Sequence, residues 1–134
     1  MELLGLVGAL REHAATETQL HIVLDVPPSL PALPAEIETA VYYITLEALT
    51  NIAKHAAAQT CRIQLRLVTA SNTAVLNLEI KDDGRGLSPD ARGGLGLLSM
   101  QARAVEVGGS CMVKNGADGG TTVFVRIPCP IKSL

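Results

Sequence analysis

The chain has 134 residues, of which 48% are hydrophobic and 2% aromatic, and it carries a formal net charge of −2. This length corresponds to one domain that can bury most of its apolar surface on folding. We expect no nucleic-acid partner, because that function needs basic patches and stacking rings that this composition lacks. No apolar run reaches the roughly eighteen residues of a membrane span, and the N-terminus lacks the basic start of a secretion signal. We therefore expect a soluble domain without membrane contact.

The cysteines favour a reducing compartment. There are three of them, Cys61, Cys111 and Cys129, widely spaced and without a C-x-x-C pair. Thiols in this arrangement are typical of small core residues rather than of zinc ligands or a disulfide framework.

The first half of the chain predicts two helices separated by a short strand. Apolar residues at helical spacing predict a helix over residues 2–16, and residues 21–26 form a short β-prone run. Four of the seven prolines lie in residues 27–34, which predicts an extended connector. A long helix is expected from about residue 35 to residue 58, because Pro34 suits a first turn and acidic residues follow it.

The second half predicts two hairpins separated by one helix. Apolar and polar residues alternate over residues 61–68 and 73–80, so these segments should pair as antiparallel strands, with Asp82 just past the second. A helix over residues 96–107 and a final hairpin of residues 110–114 and 121–127 follow. The predicted fold class is therefore α+β, a two-layer sandwich of a mixed, mainly antiparallel sheet with helices on one face.

Polar residues follow one side of the long helix. Residues 47–56 read E-A-L-T-N-I-A-K-H-A, so Glu47, Asn51 and Lys54 are four and three residues apart and lie along one helical face. An amide oxygen suits Mg²⁺ without adding negative charge, and a lysine suits a phosphate. The alternative is an ordinary amphipathic helix with a polar border.

A second polar motif, D-D-G-R-G, follows the predicted strand at residues 82–86. A carboxylate held at a strand end accepts a hydrogen bond from an exocyclic amine, such as that of adenine, and rejects rings without that donor. Gly84 and Gly86 would let the backbone lie flat against such a ring. A simple turn after a strand is the alternative.

Glycines also mark the start of the next helix. Residues 94–97 read G-L-G-L and lead into that helix, whose N-terminus is a ready anion site. Neither a βαβ dinucleotide fingerprint nor a P-loop is present. The last strand begins with Gly119-Gly120-Thr121-Thr122. The threonine hydroxyls would either contact a base or have no role beyond their place in the strand.

In order and spacing, these motifs resemble the N box (47–56), G1 box (82–86), G2 box (94–97) and terminal glycine-threonine motif (120–122) of GHKL-type ATP-binding domains. They are most similar to the catalytic and ATP-binding domain of bacterial sensor histidine kinases. Three features resemble the nitrate-sensor-like subfamily. They are the N-box sequence, the short segment of seven residues between Gly86 and Gly94, and the helix that reads G-L-x-x-M-x-x-R.

The resemblance implies ATP and Mg²⁺ as cofactors and assigns a role to each motif. Asn51 would be the magnesium ligand, with Lys54 and His55 near the phosphates. Asp82 would bind the adenine amine, with Thr122 beside it. The glycines that would shape the base pocket or approach the phosphates are Gly84, Gly86, Gly94 and Gly96. Glu47 would activate water in an ATPase of this fold, or orient the metal or phosphoacceptor in a kinase.

The resemblance also implies partners. Residues 1–18 would be an N-terminal helix linking to a dimerisation and phosphoacceptor segment, and residues 19–134 the ATP-binding catalytic domain. A response regulator would be the indirect partner, the isolated domain monomeric, and its location the cytoplasmic part of a sensor. His13 and His21 are not followed by an acid, so neither matches the phosphoacceptor histidine.

Two other functions are alternatives to a histidine kinase. One is a GHKL-type ATP hydrolase or ATP-gated module, and the other is a serine kinase of the anti-sigma-factor type.

Overall fold

The computed structural model describes residues 5–17, 20–28, 30–31, 33–55, 58–70, 72–84, 97–115 and 119–130, without the side chains of Lys54 and His55. Its elements in chain order are α1 (Gly5–Thr16), β1 (His21–Asp25), α2 (Ala35–His55), β2 (Thr60–Ala70), β3 (Thr73–Asp82), α3 (Leu97–Glu106), β4 (Ser110–Asn115) and β5 (Thr121–Cys129). The predicted α+β class is confirmed.

The strands form one five-stranded sheet with the order β1-β2-β3-β5-β4. β1 pairs with β2 in parallel, and the other neighbours are antiparallel. Buried and more exposed residues alternate along β2, β3 and most of β5, because successive side chains point to opposite faces of a sheet. One face therefore packs against the helices, and no described helix packs against the other.

The core lies between the sheet and α2. The apolar stripe predicted on this helix is buried as far as the described side chains extend, at Ile37, Val41, Ile44, Ala48 and Ile52. Each of the valine and isoleucine side chains contributes about 1.5–3 kcal/mol when fully buried. All three cysteines are buried and free, as predicted. These apolar side chains share one core with the strands, so they hold α2 against the sheet.

Most strand boundaries differ from the sequence prediction by one or two residues, and two of the differences bear on the site. The helical assignment of α2 ends at His55 rather than near residue 58; residues 56 and 57 lie outside the described part, and Ala58 is not helical. Asp82 is the last residue of β3 rather than a residue beyond it, because it still pairs with Cys61 of β2. Among the described residues, no helix is long and apolar enough to cross a membrane.

Candidate functional site

Asp82 is a buried carboxylate at the end of a central strand. Its residue surface is only 3% exposed. Its Oδ1 accepts a hydrogen bond from the backbone N–H of Gly84 at 2.7 Å, whereas its Oδ2 has no hydrogen-bond partner among the described residues. Buried polar groups in folded proteins are nearly always hydrogen-bonded. The second oxygen is therefore an acceptor that suits a ligand with an N–H donor.

The two adjacent carboxylates of the motif have opposite electrostatic environments. Burial raises the pKa of Asp82, the backbone N–H groups of Gly84 and Thr121 oppose that rise, and the charge of Asp83 adds to it. The pKa of Asp83 is lowered, first by the backbone N–H of Thr60 and then by that of Gln59. Asp82 thus faces the protein interior, while Asp83 is held in its ionised form at the surface.

Two glycines bring the start of β5 against Asp82. Gly119 and Gly120 have φ values of +86° and +71°, a region that side chains other than glycine rarely adopt. A Cβ at Gly120 would overlap the backbone carbonyl oxygen of Asp82, and one at Gly119 would lie 3.5 Å from the carbonyl oxygen of Gly84. The turn therefore closes directly onto the Asp82–Gly84 segment.

The structure separates the two threonines that follow this turn. Thr122 pairs with Lys81, so by strand alternation it lies on the opposite face of the sheet from Asp82. Thr121 is 6% exposed and lies on the face of Asp82. Its Oγ1 also has no hydrogen-bond partner among the described residues. Strand register therefore puts Thr121, rather than Thr122, on the face of Asp82, and the contact of either threonine with a base stays a prediction.

Glu47 and Asn51 lie on α2 where the sequence places them. They are four residues apart and both partly buried, so they occupy adjacent turns of one face. Their neighbours Ala48 and Ile52 are buried in the core. Glu47 and Asn51 therefore border the buried apolar stripe, as expected for these two members of the predicted polar face. Lys54 and His55 belong to the last turn of α2, and their side chains are outside the described part.

The remaining site glycines lie outside the described residues. These are Gly86, Gly94 and Gly96. The helix that follows them is anchored: Met100 and Ala104 of α3 are buried, and the Arg103 guanidinium lies 5.1 Å from the ring centroid of Tyr43 on α2. Among described residues, no group of three or more His, Cys, Asp or Glu side chains is arranged to hold a metal ion.

A family model described as histidine kinase-, DNA gyrase B-, and HSP90-like ATPase matches residues 36–131. The chain belongs to this family. Within it, the chain corresponds to the ATP-binding catalytic domain of sensor histidine kinases. The sensor histidine kinase LnrJ of Bacillus subtilis is 41% identical over 91 residues, which are 68% of this chain and 22% of the relative. The sensor histidine kinase MctS of Rhizobium johnstonii is 30% identical over 133 residues, which are 93% of this chain and 28% of that protein.

Solved structures of the family share the fold. The blue-light activated histidine kinase EL346 of Erythrobacter litoralis has a TM-score of 0.69 and 25% identity, over 95% of this chain and 42% of that one. The ATP-binding domain of PrrB from Mycobacterium tuberculosis has a TM-score of 0.62 and 25% identity, over 96% of this chain and 93% of that one. The chain spans about a quarter of the length of LnrJ and MctS, and all but a small part of the PrrB domain.

In this histidine-kinase ATPase domain, we expect Thr121→Val to weaken ATP binding and Thr122→Val to leave it nearly unchanged. Both threonines are 6% exposed, but the strand register puts Thr121 on the face of Asp82 and Thr122 on the other face. Loss of the Thr121 hydroxyl should therefore cost about three- to tenfold in affinity, the scale of one hydrogen bond. Isothermal titration calorimetry with ATP measures both variants, and Thr121→Ser is the control that restores the hydroxyl. Equal losses, or a larger loss for Thr122→Val, would contradict this placement.

Proposed function

We propose that the domain binds Mg·ATP and positions its γ-phosphate for transfer to a histidine on a separate segment, in two-component signalling. The observation that carries the proposal is the buried carboxylate of Asp82 at the end of β3, whose Oδ2 has no hydrogen-bond partner among the described residues. The family match supports ATP as the ligand. The names of LnrJ and MctS support a histidine as the phosphoacceptor.

The base half of the site is built around Asp82. Its Oδ2 would accept the hydrogen bond of the adenine amine, and Thr121 would lie beside the same edge of the base. Gly84 and Gly120 hold the backbone close, and we propose Gly86 as part of the same pocket. A base without the exocyclic amine would leave the buried carboxylate unpaired, which is a strong basis for selecting adenine.

The phosphate half is built on α2. We propose that the amide oxygen of Asn51 holds Mg²⁺ together with the nucleotide phosphates, since Mg²⁺ commonly uses only one or two protein ligands. When bound, the ion supplies charge neutralisation of the phosphate oxygens. Lys54 and His55 are proposed to meet the phosphates, and Gly94 and Gly96 to flank them. The protein would then act through orientation and charge, as phosphoryl transfer generally requires.

Glu47 separates this function from a second candidate, an ATP hydrolase. It is partly buried, one turn before Asn51, so a carboxylate borders the proposed metal and phosphates. In a hydrolase it would activate water as a general base. In a kinase it would orient the metal or the incoming histidine, and water attack would be slow.

The test is phosphate release by the isolated domain. For the kinase we expect ATP binding without steady phosphate release in the absence of a phosphoacceptor, and Glu47→Gln should leave phosphate release at the same low level. Calorimetry measures binding, and an enzyme-coupled phosphate assay measures release. Glu36→Gln is the matched control, because Glu36 is an exposed acid at the other end of α2. Steady release that Glu47→Gln abolishes would favour the hydrolase.

We also propose the finer assignments that the motifs suggest. The N-box sequence favours the nitrate-sensor-like subfamily. The histidine-protein kinase/phosphatase DegS of Brevibacillus brevis is 28% identical over 130 residues, which agrees with a histidine kinase, and we propose that the domain is the cytoplasmic part of a sensor. The proposed partners are a dimerisation and phosphoacceptor domain and, indirectly, a response regulator, with the isolated domain monomeric. Labelling of a serine-bearing antagonist from ATP would instead support an anti-sigma-factor kinase.

A further inference from the structure

Asp83 joins two segments that are far apart in sequence. Its Oδ1 accepts hydrogen bonds from the backbone N–H groups of Gln59 and Thr60, both at 2.9 Å. Its own backbone N–H donates to the carbonyl oxygen of Thr60 at 3.1 Å. Three hydrogen bonds therefore connect the residue after β3 to the first residue of β2 and the residue before it. We call this set the Asp83 clamp.

The clamp connects the end of β3, which carries Asp82, to the start of β2, which follows α2 in the chain. On one side, Asp83 directly follows Asp82 and precedes Gly84, whose N–H is bonded to the Asp82 carboxylate. On the other side, Gln59 and Thr60 follow α2 in the chain, and α2 is the helix that carries Asn51. The carbonyl oxygen of Gln59 also accepts from the N–H of His21 at 2.9 Å, so this connection is held from two sides.

The residue type matters for this geometry. One carboxylate oxygen accepts from two neighbouring N–H groups, and hydrogen bonds to a charged acceptor are stronger than neutral ones. Since Asp82 points into the helix layer, its neighbour Asp83 points away from it. The two adjacent acids therefore differ in role. Asp82 has one oxygen without a hydrogen-bond partner among the described residues, whereas Asp83 accepts hydrogen bonds from two backbone N–H groups.

We propose that Asp83 is a positioning residue that couples the base half of the site to the phosphate half by holding the exit of α2 against the Asp82–Gly84 segment. This inference rests on the proposed ATP-binding function. The clamp sets the separation between Asp82 and Asn51, so a ligand that spans both halves needs it. A ligand that occupies only the base half does not.

The experiment compares Mg·ATP with adenosine. Asp83→Ala should weaken Mg·ATP binding by about tenfold, a usual size for coupling between sites. Adenosine binding should change by less than about threefold, because adenosine contacts the base half alone. Asp83→Asn should recover most of the Mg·ATP affinity, since its amide oxygen accepts the same two N–H groups. Calorimetry measures Mg·ATP, and NMR titration measures adenosine.

Two controls test whether a loss of Mg·ATP affinity comes from the clamp itself. Glu12→Ala removes an exposed acid of α1 and should change neither affinity. Amide hydrogen exchange at Gln59 and Thr60 should accelerate in Asp83→Ala and stay slow in Asp83→Asn. If Asp83→Ala does not fold, Gln59→Pro removes one donor from the other side of the clamp and should selectively weaken Mg·ATP.

Three outcomes would overturn the coupling. A folded Asp83→Ala variant that binds Mg·ATP like the wild type would remove any positioning role. Equal losses for Mg·ATP and adenosine would restrict Asp83 to shaping the base pocket. Failure of the wild-type domain to bind ATP would contradict the proposed function itself, and the coupling with it.

Discussion

Asp82→Asn is expected to abolish ATP binding while raising the thermal stability of the nucleotide-free domain. The asparagine amide would place a donor or a weaker acceptor where the adenine amine needs a carboxylate oxygen. We expect a loss of about a hundredfold or more, as for other sites built to recognise one polar group. The same change removes a buried carboxylate whose Oδ2 has no hydrogen-bond partner among the described residues, and wherever that carboxylate is ionised the folded state is relieved of its cost.

The gain in stability should depend on pH. The folded-state pKa of Asp82 is raised, mainly by burial. Its contribution to stability is therefore fully present below the pKa of the unfolded chain and is lost as pH rises through the folded pKa. Above that pKa the ionised carboxylate weakens the fold. Thermal melts from pH 4 to pH 8 should show the largest advantage of Asp82→Asn near neutral pH.

Asp83→Asn is the matched control for this prediction, because the pKa of Asp83 is lowered by the N–H groups of Thr60 and Gln59. Its ionised form stabilises the fold above the unfolded pKa, and this contribution is lost as pH falls through the folded pKa. The variant should therefore be less stable than wild type at neutral pH. Equal effects of the two substitutions, or an Asp82→Asn variant that still binds ATP tightly, would contradict the assignment.

The fold was largely predictable because its elements follow simple periods. The apolar stripe of α2 repeats at helical spacing, and β2 and β3 alternate residue by residue. Both patterns are local, and burial of one face enforces them. The parallel pairing of β1 with β2 is not local, since it depends on which sheet edge remains open after the hairpins have formed.

The site was less predictable where register and backbone conformation decide it. Two adjacent threonines have the same chemistry, and only the strand pairing shows that Thr121 shares the face of Asp82. Sequence reasoning gave Gly119 and Asp83 no role. The positive φ of Gly119 and the contact of the turn with Gly84 are tertiary features, and so are the bonds from Asp83 to Gln59 and Thr60.

A signal for Asp83 was nevertheless present in the sequence. Two adjacent acids at a strand end must point to opposite sides of the sheet, so only one of them faces the ligand. The other needs backbone donors if it is to remain ionised beside a like charge. The motif D-D-G therefore indicates one recognition carboxylate and one structural carboxylate, although the donors of Asp83 are found only in the folded chain.

Asn51→Ala is expected to remove the dependence of ATP binding on Mg²⁺. The proposed role of this amide is to hold the ion beside the phosphates, and the ion in turn neutralises their charge. We expect Mg²⁺ to strengthen ATP binding to the wild type by about tenfold or more, on the scale of coupling between ligands, and to have almost no effect in the variant. Calorimetry with ATP in Mg²⁺ and in EDTA gives this ratio.

Thr50→Ala and Asp82→Asn are the comparison variants for Asn51→Ala. Thr50→Ala alters the neighbouring residue of α2, which is exposed and whose hydroxyl donates to the carbonyl oxygen of Leu46, and it should keep the full Mg²⁺ effect. Adenosine should bind Asn51→Ala like the wild type, whereas Asp82→Asn should lose adenosine as well as ATP. Mg²⁺ enhancement that persists in a folded Asn51→Ala variant would show that the ion is held elsewhere. The two substitutions would then no longer divide the site into a base half and a metal half.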